Sequence, residues 1–267
     1  GAVSLNEYYA NFPGIMDDVR IYNRELNQSE ITALYEIGTP PPSDITSNLV
    51  AHWQLDETSG TTASDSAASN DGTMTNMDAA SNTVSGTVST ALSFSSSRIT
   101  AAAASSDIDD IFDGGGTISY WIYPTNWGTF GRVIDKSDTG TFPPNQGWHS
   151  QGSTGIIKFS HAFSTAYGDW ETGANTVPMN TWSHIMITYN SSGDVYTPTI
   201  YINGVNTPVS TINSPTGTAV SDASQPITLG ARQGGGNSYT GYIDDVRMYT
   251  RPLSSTDATA LYNTGTP

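Results

Sequence analysis

Cysteine is absent from this sequence, which removes disulfide staples, thiolate metal sites and cysteine nucleophiles together. Positive charge is scarce. Nine Lys and Arg stand against 25 Asp and Glu, for a formal net charge of −16 at pH 7, and only Lys136 and Lys158 are lysines. No basic stripe exists to neutralise phosphates, so nucleic acid is not an expected partner, and anionic membrane surfaces are disfavoured for the same reason. No apolar run approaches the ~20 residues that cross a bilayer, so membrane insertion is not expected either. No secretory leader stands at Gly1; export would rest on a segment outside this sequence.

What is present is Ser, Thr, Asn and Gly in quantity, with 36% apolar and 13% charged residues. That mixture suits short strands joined by polar turns rather than salt-bridged helices. Aromatic and β-branched residues recur throughout, so the composition is not that of a disordered chain.

An internal repeat organises the chain. Residues 14–40 (GIMDDVRIYNRELNQSEITALYEIGTP) and 241–267 (GYIDDVRMYTRPLSSTDATALYNTGTP) align without gaps, with 15 of 27 positions identical. Each copy reads as a strand (15–22 and 242–249), a turn and a short helix. Asn27 with Glu30, and Ser254 with Asp257, stand at capping-box spacing and open the helices. Leu34-Tyr35 and Leu261-Tyr262 supply the apolar face, and Gly38 and Gly265 end the helices. Three prolines, Pro40 to Pro42, then hold a linker extended. Residues 1–38 are expected to be the terminal strand and helix of a preceding domain, 39–47 a Pro-rich linker, and 48–267 a complete domain.

Within 48–267 the pattern is almost wholly β. Strands are expected at 49–55, 91–94, 117–123 (stopped by Pro124), 132–134, 156–160, 182–189, 199–202, 226–230 and 242–249. Asn203-Gly204 marks a hairpin, because both residues tolerate the positive φ of a type I′ turn. Many short, evenly spaced strands mean a two-sheet sandwich.

Landmarks in this order resemble a known family. The opening LVAHWQLDETSG (49–60), then Asp65-Ser66 and Asn70-Asp71-Gly72-Thr73, the strand 117–124, Asn180 to His184, Tyr201 to Gly204 and the segment 241–253 are similar to the laminin-G-like domains of the concanavalin A-like lectin/glucanase superfamily, of bacterial or phage type. The resemblance covers 48–267, with 14–40 as a terminal fragment. It implies an all-β, two-sheet antiparallel jelly-roll with a short edge helix near the C-terminus.

Catalysis is not expected. Sandwich glycosidases alternate carboxylates along one strand, because retaining cleavage needs an acid and a nucleophile ~5 Å apart. Here the acids at 107–113 precede a Gly triplet, and Asp244 and Asp245 are adjacent, so they face opposite sides. The four histidines lack zinc spacing and no Gly-x-Ser-x-Gly elbow occurs. The triplets 114–116 and 234–236 lack a strand-to-helix context and read as mobile turns, not phosphate loops.

Two candidate sites follow. The loop 65–72 offers oxygen ligands suited to calcium, and the resemblance implies that it meets the acidic final strand, joining Asp65 and Asn70 to Asp244, with Asp17 as the matching acid of the first copy; otherwise Asp65 and Asn70 make Asx-turns. Trp53, Trp121 and Trp182 fall in strand patterns and are assigned to the core. Trp127 sits among turn residues, and Asn145, Gln146, Trp148, Asp169, Trp170, Asn237 and Tyr239 form a candidate glycan-contact set, in which rings stack on sugars and amides or carboxylates bind hydroxyls. Local loop packing is the bland alternative for each of them. The expected role is an extracellular or cell- or virion-surface adhesion module that binds a glycan or cell-surface polysaccharide. The alternatives are a structural repeat whose partners are neighbouring laminin-G-like domains or identical subunits, and an accessory module of a carbohydrate-active enzyme.

Overall fold

The computed structural model describes residues 19–27, 30–31, 43–101, 106–128, 130–138, 143–192 and 197–266. The chain divides into two compact units, Gly1–Pro41 and Pro42–Pro267.

In the first unit the predicted cap is present. Glu30 N donates to Asn27 Oδ1, and Asn27 N donates to Glu30 Oε2, both at 3.0 Å. Arg24 forks the Glu30 carboxylate at 2.9 and 2.8 Å. The strand expected at 15–22 is not seen in its described part. Residues 19–22 carry no ladder, and Val19 and Ile21 are exposed. Their counterparts in the second copy, Val246 and Met248, are fully buried, because that copy has flanking strands to pair with. Residues 15–18 (with Asp17) and 32–40 (with Leu34, Tyr35 and Gly38) lie outside the described residues.

The second unit begins with β1 (Leu49–Trp53), β2 (Thr62–Ala63), β3 (Gly72–Thr75), α1 (Ala79–Asn82), β4 (Thr83–Ser85), β5 (Thr90–Ser95) and β6 (Arg98–Ala101). It continues with β7 (Gly116–Asn126), β8 (Gly131–Ser137), β9 (Gly147–Ser153), β10 (Ile156–His161), β11 (Gly168–Thr172) and β12 (Ser183–Tyr189). It closes with β13 (Thr199–Ile202), β14 (Val205–Thr207), β15 (Val209–Asn213), β16 (Ile227–Leu229), β17 (Thr240–Tyr249) and α2 (Ser255–Thr264). These strands form two antiparallel sheets. The first runs β14-β13-β12-β7-β17-β5-β4, with β1 also on β17; the second runs β15-β11-β10-β9-β8-β16-β6-β3-β2. This is the expected all-β sandwich.

Period-two alternation puts one face of each strand into the space between the sheets. Trp53, Leu92, Phe94, Ile122, Trp148, Phe159, Trp170 and Ile185 meet there. A smaller cluster forms on the outer face of the first sheet, where Met186, Tyr201 and Tyr249 receive Leu253, Ala258 and Leu261 of α2 and its approach. Trp121 belongs to that side: its ring stacks on Tyr262 at 5.6 Å. The helix therefore lies on a sheet face, held by Ser254 and Asp257 in a reciprocal capping box. Asn203 (φ 52°) and Gly204 (φ 76°) join β13 to β14 as the Asn-Gly signal predicts.

Some boundaries and strands differ from expectation. β7 runs through Pro124, past the end of the β12 ladder at Ile122–Ser183, and stays paired with β17 there through Gly241. β9 and β11 arise in stretches the sequence pattern leaves as loops.

Candidate functional site

Asp65 and Asn70 are brought together, but as a closed hydrogen-bonded staple. Asp65 Oδ1 accepts from the His52 and Ala67 amides (2.8 and 3.0 Å), and Oδ2 accepts from Asn70 N and Nδ2 (3.1 and 2.8 Å). Burial pushes the Asp65 carboxyl up, yet these donors together hold it below its ordinary value. Four donors fill the lone-pair directions that a cation would need. Asp244 sits elsewhere: its Oδ2 accepts from the Thr87 and Val88 amides at 2.8 and 3.0 Å. Its Oδ1 is buried with no hydrogen-bond partner. Burial, with Asp245 beside it, pushes Asp244 up to about 7 against those amide bonds. Asp245 turns the other way, onto His52 and Arg247. Among the described residues no three His, Cys, Asp or Glu side chains are grouped to hold a metal, and Asp65 and Asp244 bind different sets of backbone amides. Asp65→Ala is expected to destabilise the domain by roughly 1–3 kcal/mol, equally in calcium and in chelator. Thermal unfolding in both buffers checks this, and a loss confined to the calcium buffer would make Asp65 a ligand after all.

The glycan-contact set is largely dispersed. Trp148 and Trp170 are fully buried on the inner faces of β9 and β11, and Tyr239 is 2% exposed. Polar and small neighbours hide the alternation around Trp148 and Trp170; in the fold all three belong to the core cluster, where Trp170 stacks on Phe159. Trp127, at 8% exposed, is also buried, its ring against Gly152. Trp182, assigned to the core, is half-buried outside β12 and meets Tyr123 edge-on. Asn145 bonds to Asp138, and Gln146 accepts from Gln225. Neither reaches Asn237.

The outer face of the second sheet holds a different constellation. Alternation that sends Trp148, Phe159 and Trp170 inward sends polar side chains outward in cross-strand rows. Arg132, Gln151, Lys158 and Glu171 form one row across β8, β9, β10 and β11; Asp135, His149, Ser160 and Asp169 form the next. A bulge between Arg132 and Ile134 brings Arg132 and Asp135 onto the same side. Although these residues face away from the core, Arg132 and Gln151 are each only 2% exposed.

Above the first row is a cavity of about 180 Å³ lined by Phe130, Arg132, Gln151, Lys158, Arg232 and Asn237. One wall is the segment 232–237. Gly235 N donates to Arg232 O and Arg232 N to Gly236 O, at 2.9 and 3.2 Å. Gly234, Gly235 and Gly236 all have φ near +80°, a conformation that glycine adopts without strain, so the triplet forms a tight turn. Arg132 N then donates to Asn237 O at 2.7 Å, and Asn237 Nδ2 to Phe130 O at 3.4 Å. Phe130 is held at φ 57°, 40% exposed, with Lys158 Nζ 5.9 Å from its ring centroid.

Electrostatics set the cavity's character. Asp169 Oδ2 and Glu171 Oε2 approach Lys158 Nζ at 3.0 and 3.4 Å; burial pushes the ammonium down, but these two acids outweigh it and hold it above its ordinary value. Arg132 Nη1 is 3.2 Å from Asp135 Oδ2, an ion pair out of hydrogen-bond alignment, so Arg132 Nε and Nη1 keep unused donors. Burial, and the nearby Arg232, push Arg132 down to about 10, with Asp135 acting in the opposite direction. Arg232 Nη2 is likewise buried without a hydrogen-bond partner. Of the predicted contact residues, Asn237 lines this cavity and Asp169 supports it from beneath; Phe130, Arg132, Gln151, Lys158 and Arg232 were not expected. Their one sequence signal was rarity, since three of only nine cationic residues converge here. A larger groove of about 450 Å³ beside α2, lined by Tyr201, Asn206 and Thr259 among others, has no charged side chain.

Two antiparallel sheets, with a helix on the outer face of one and a polar cavity on the outer face of the other, define a jelly-roll sandwich. The family model described as the concanavalin A-like lectin/glucanases superfamily matches residues 94–259, and the chain belongs to that superfamily. Solved structures share its fold. The binding domain of Paraclostridial mosquitocidal protein 1 is 21% identical with a TM-score of 0.62, over 83% of this chain and 53% of that one. Domain 4 of AbnA, a GH43 extracellular arabinanase from Geobacillus stearothermophilus, in complex with arabinotriose, is 19% identical with a TM-score of 0.56, over 80% and 98%. The ligand binding domain of botulinum neurotoxin serotype D, in complex with N-acetylneuraminic acid, is 18% identical with a TM-score of 0.57, over 82% and 51%. This chain thus spans about half the length of the two toxin domains. No curated protein matches it.

Proposed function

We propose that the chain is a non-catalytic carbohydrate-binding module of an extracellular or surface protein, and that its ligand occupies the cavity above Arg132, Gln151 and Lys158. The observation that carries this reading is a buried polar floor in which Arg132 Nε and Nη1 have no hydrogen-bond partner. A buried polar group without a partner costs free energy, and a ligand that supplies acceptors recovers it. Phe130 adds an exposed ring beside that floor, suited to stacking on a sugar face. The named partners of fold-related structures, arabinotriose and N-acetylneuraminic acid, support sugars as the ligand class, and the extracellular enzyme and toxin sources support the location. Among the described residues no helix is long and apolar enough to cross a membrane.

A glycan array probed with the full chain tests this. Phe130→Ala and Gln151→Ala are expected to weaken the strongest hits about tenfold while thermal unfolding stays near the parent. Hits unaffected by either substitution would place the site elsewhere. The repeat shared by 14–40 and 241–267 favours a second reading, a structural unit in an array of such domains. An array without hits, together with concentration-dependent sedimentation, would select it.

A further inference from the structure

The cavity's charge is at odds with the rest of the molecule. The chain carries −16, yet three of the six residues lining this cavity are cationic and none is acidic. The acids that accompany them do not line it. Asp169 and Glu171 bind Lys158 from the adjoining strand β11, and Asp135 pairs with Arg132 from the next row. Arg232 has no acid partner: among the described residues no carboxylate lies within ion-pair distance of it. Two guanidinium groups therefore present buried, unused N–H donors, Nε and Nη1 on Arg132 and Nη2 on Arg232.

A neutral sugar offers hydroxyls, which are weak partners for one buried and one half-buried guanidinium group. A carboxylate offers two oxygens with paired acceptor directions that match the planar guanidinium fork, and its charge offsets theirs in a site where water screens poorly. The cavity also has a place for the rest of such a ligand. Asn237 and Gln151 supply amides for hydroxyls, and Phe130 supplies a flat apolar ring. We propose that this cavity selects an acidic sugar, of uronic-acid type, whose carboxylate is received between Arg132 and Arg232 while its ring rests beside Phe130. This deepens the carbohydrate-binding reading and rests on the cavity being the ligand site.

Matched ligands separate the two claims. The full chain is titrated by calorimetry with trigalacturonate, with its fully methyl-esterified neutral counterpart, and with a sulfated trisaccharide that has no carboxylate. Trigalacturonate is expected to bind about tenfold or more tighter than the ester, and Arg232→Gln is expected to abolish that preference. Arg132→Gln should do the same, but it leaves Asp135 buried without its cation and can fail to fold. Arg232, which is half-buried and outside the sheet, keeps the test decisive. Equal binding of acid and ester that is lost in Phe130→Ala would overturn the anion assignment and leave the site standing. Preference for the sulfated sugar would overturn the carboxylate. Failure of all three probes to bind would overturn the acidic-sugar assignment, and binding indifferent to every cavity substitution would overturn both claims.

Discussion

Trp148→Ala is expected to cost the second unit about 3–5 kcal/mol, enough to unfold a large fraction of a marginally stable domain. Trp148 is fully buried. Its ring meets Phe112 edge-on at 5.1 Å, and Phe159 lies 6.3 Å away. Its Nε1 donates to Asp222 Oδ2 at 2.8 Å. Truncation opens a cavity between the sheets that the β9 backbone cannot collapse into, and it strips a donor from a buried carboxylate. Trp148→Phe keeps most of the volume and isolates the lost hydrogen bond, so it should fall well short of the alanine loss. Urea unfolding followed by far-UV circular dichroism reads both. A glycan-contact role predicts the reverse, with binding lost and stability kept. An alanine variant that folds like the parent would return Trp148 to the surface.

The second large effect is expected at Lys136. Its side chain is fully buried near the C-terminal end of β8, with Nζ 2.7 Å from Asp109 Oδ1 and 2.8 Å from Asp222 Oδ1. It also donates to the carbonyls of Asp222 and Gln225 at 2.8 and 3.0 Å. Lys136→Met removes the cation and leaves Asp222 buried with its charge uncompensated, which costs about 3–5 kcal/mol. Burial already pushes Asp222 up, and Lys136 is the foremost influence opposing it. Without Lys136, the folded-state pKa of Asp222 rises further above its unfolded value. The folded variant then binds the extra proton, so its stability recovers as pH falls through that raised pKa toward the ordinary carboxylate range. The deficit should be largest at neutral pH and smaller near pH 5. Lys136→Met combined with Asp222→Asn should regain part of the loss at neutral pH, because no buried charge is left. Trp148 and Lys136 share Asp222, so their effects should not add. A Lys136→Met deficit that does not change with pH would show that Asp222 is not what the lysine neutralises.

Residue type and spacing made much of the fold legible. The copy at 241–267 formed the strand, turn and helix its pattern predicts, whereas the described part of the copy at 14–40 shows the helix cap without a strand. The capping boxes Asn27/Glu30 and Ser254/Asp257, and the Asn203-Gly204 turn, formed as their spacing requires, because each is satisfied by backbone atoms a few residues away. The strands around Tyr120, Ile185 and Ile200 were legible because apolar residues dominate them. β9, with Trp148 as its one large apolar residue, and β11, with Trp170, were not legible. Their outward residues are polar, so no apolar run marks them, and without the strands their tryptophans looked like loop aromatics. The candidate site was hidden for the same reason. Arg132, Gln151, Lys158 and Arg232 are scattered over a hundred positions, and each alone looks like a solvated surface residue.

The sequence by itself determined the class of the domain, its all-β character, its repeat and its local caps and turns. These follow from side-chain period, glycine and asparagine conformational freedom and short-range hydrogen bonds, all of which act between near neighbours in the chain. Only the tertiary structure decided which face of each strand meets the core, that Asp65 and Asp244 serve separate hydrogen-bonded turns, and that three of the few cations share one cavity. Those outcomes depend on cross-strand register: a shift of one residue exchanges inward for outward along a whole strand, and the register is set by pairing between segments far apart in the chain.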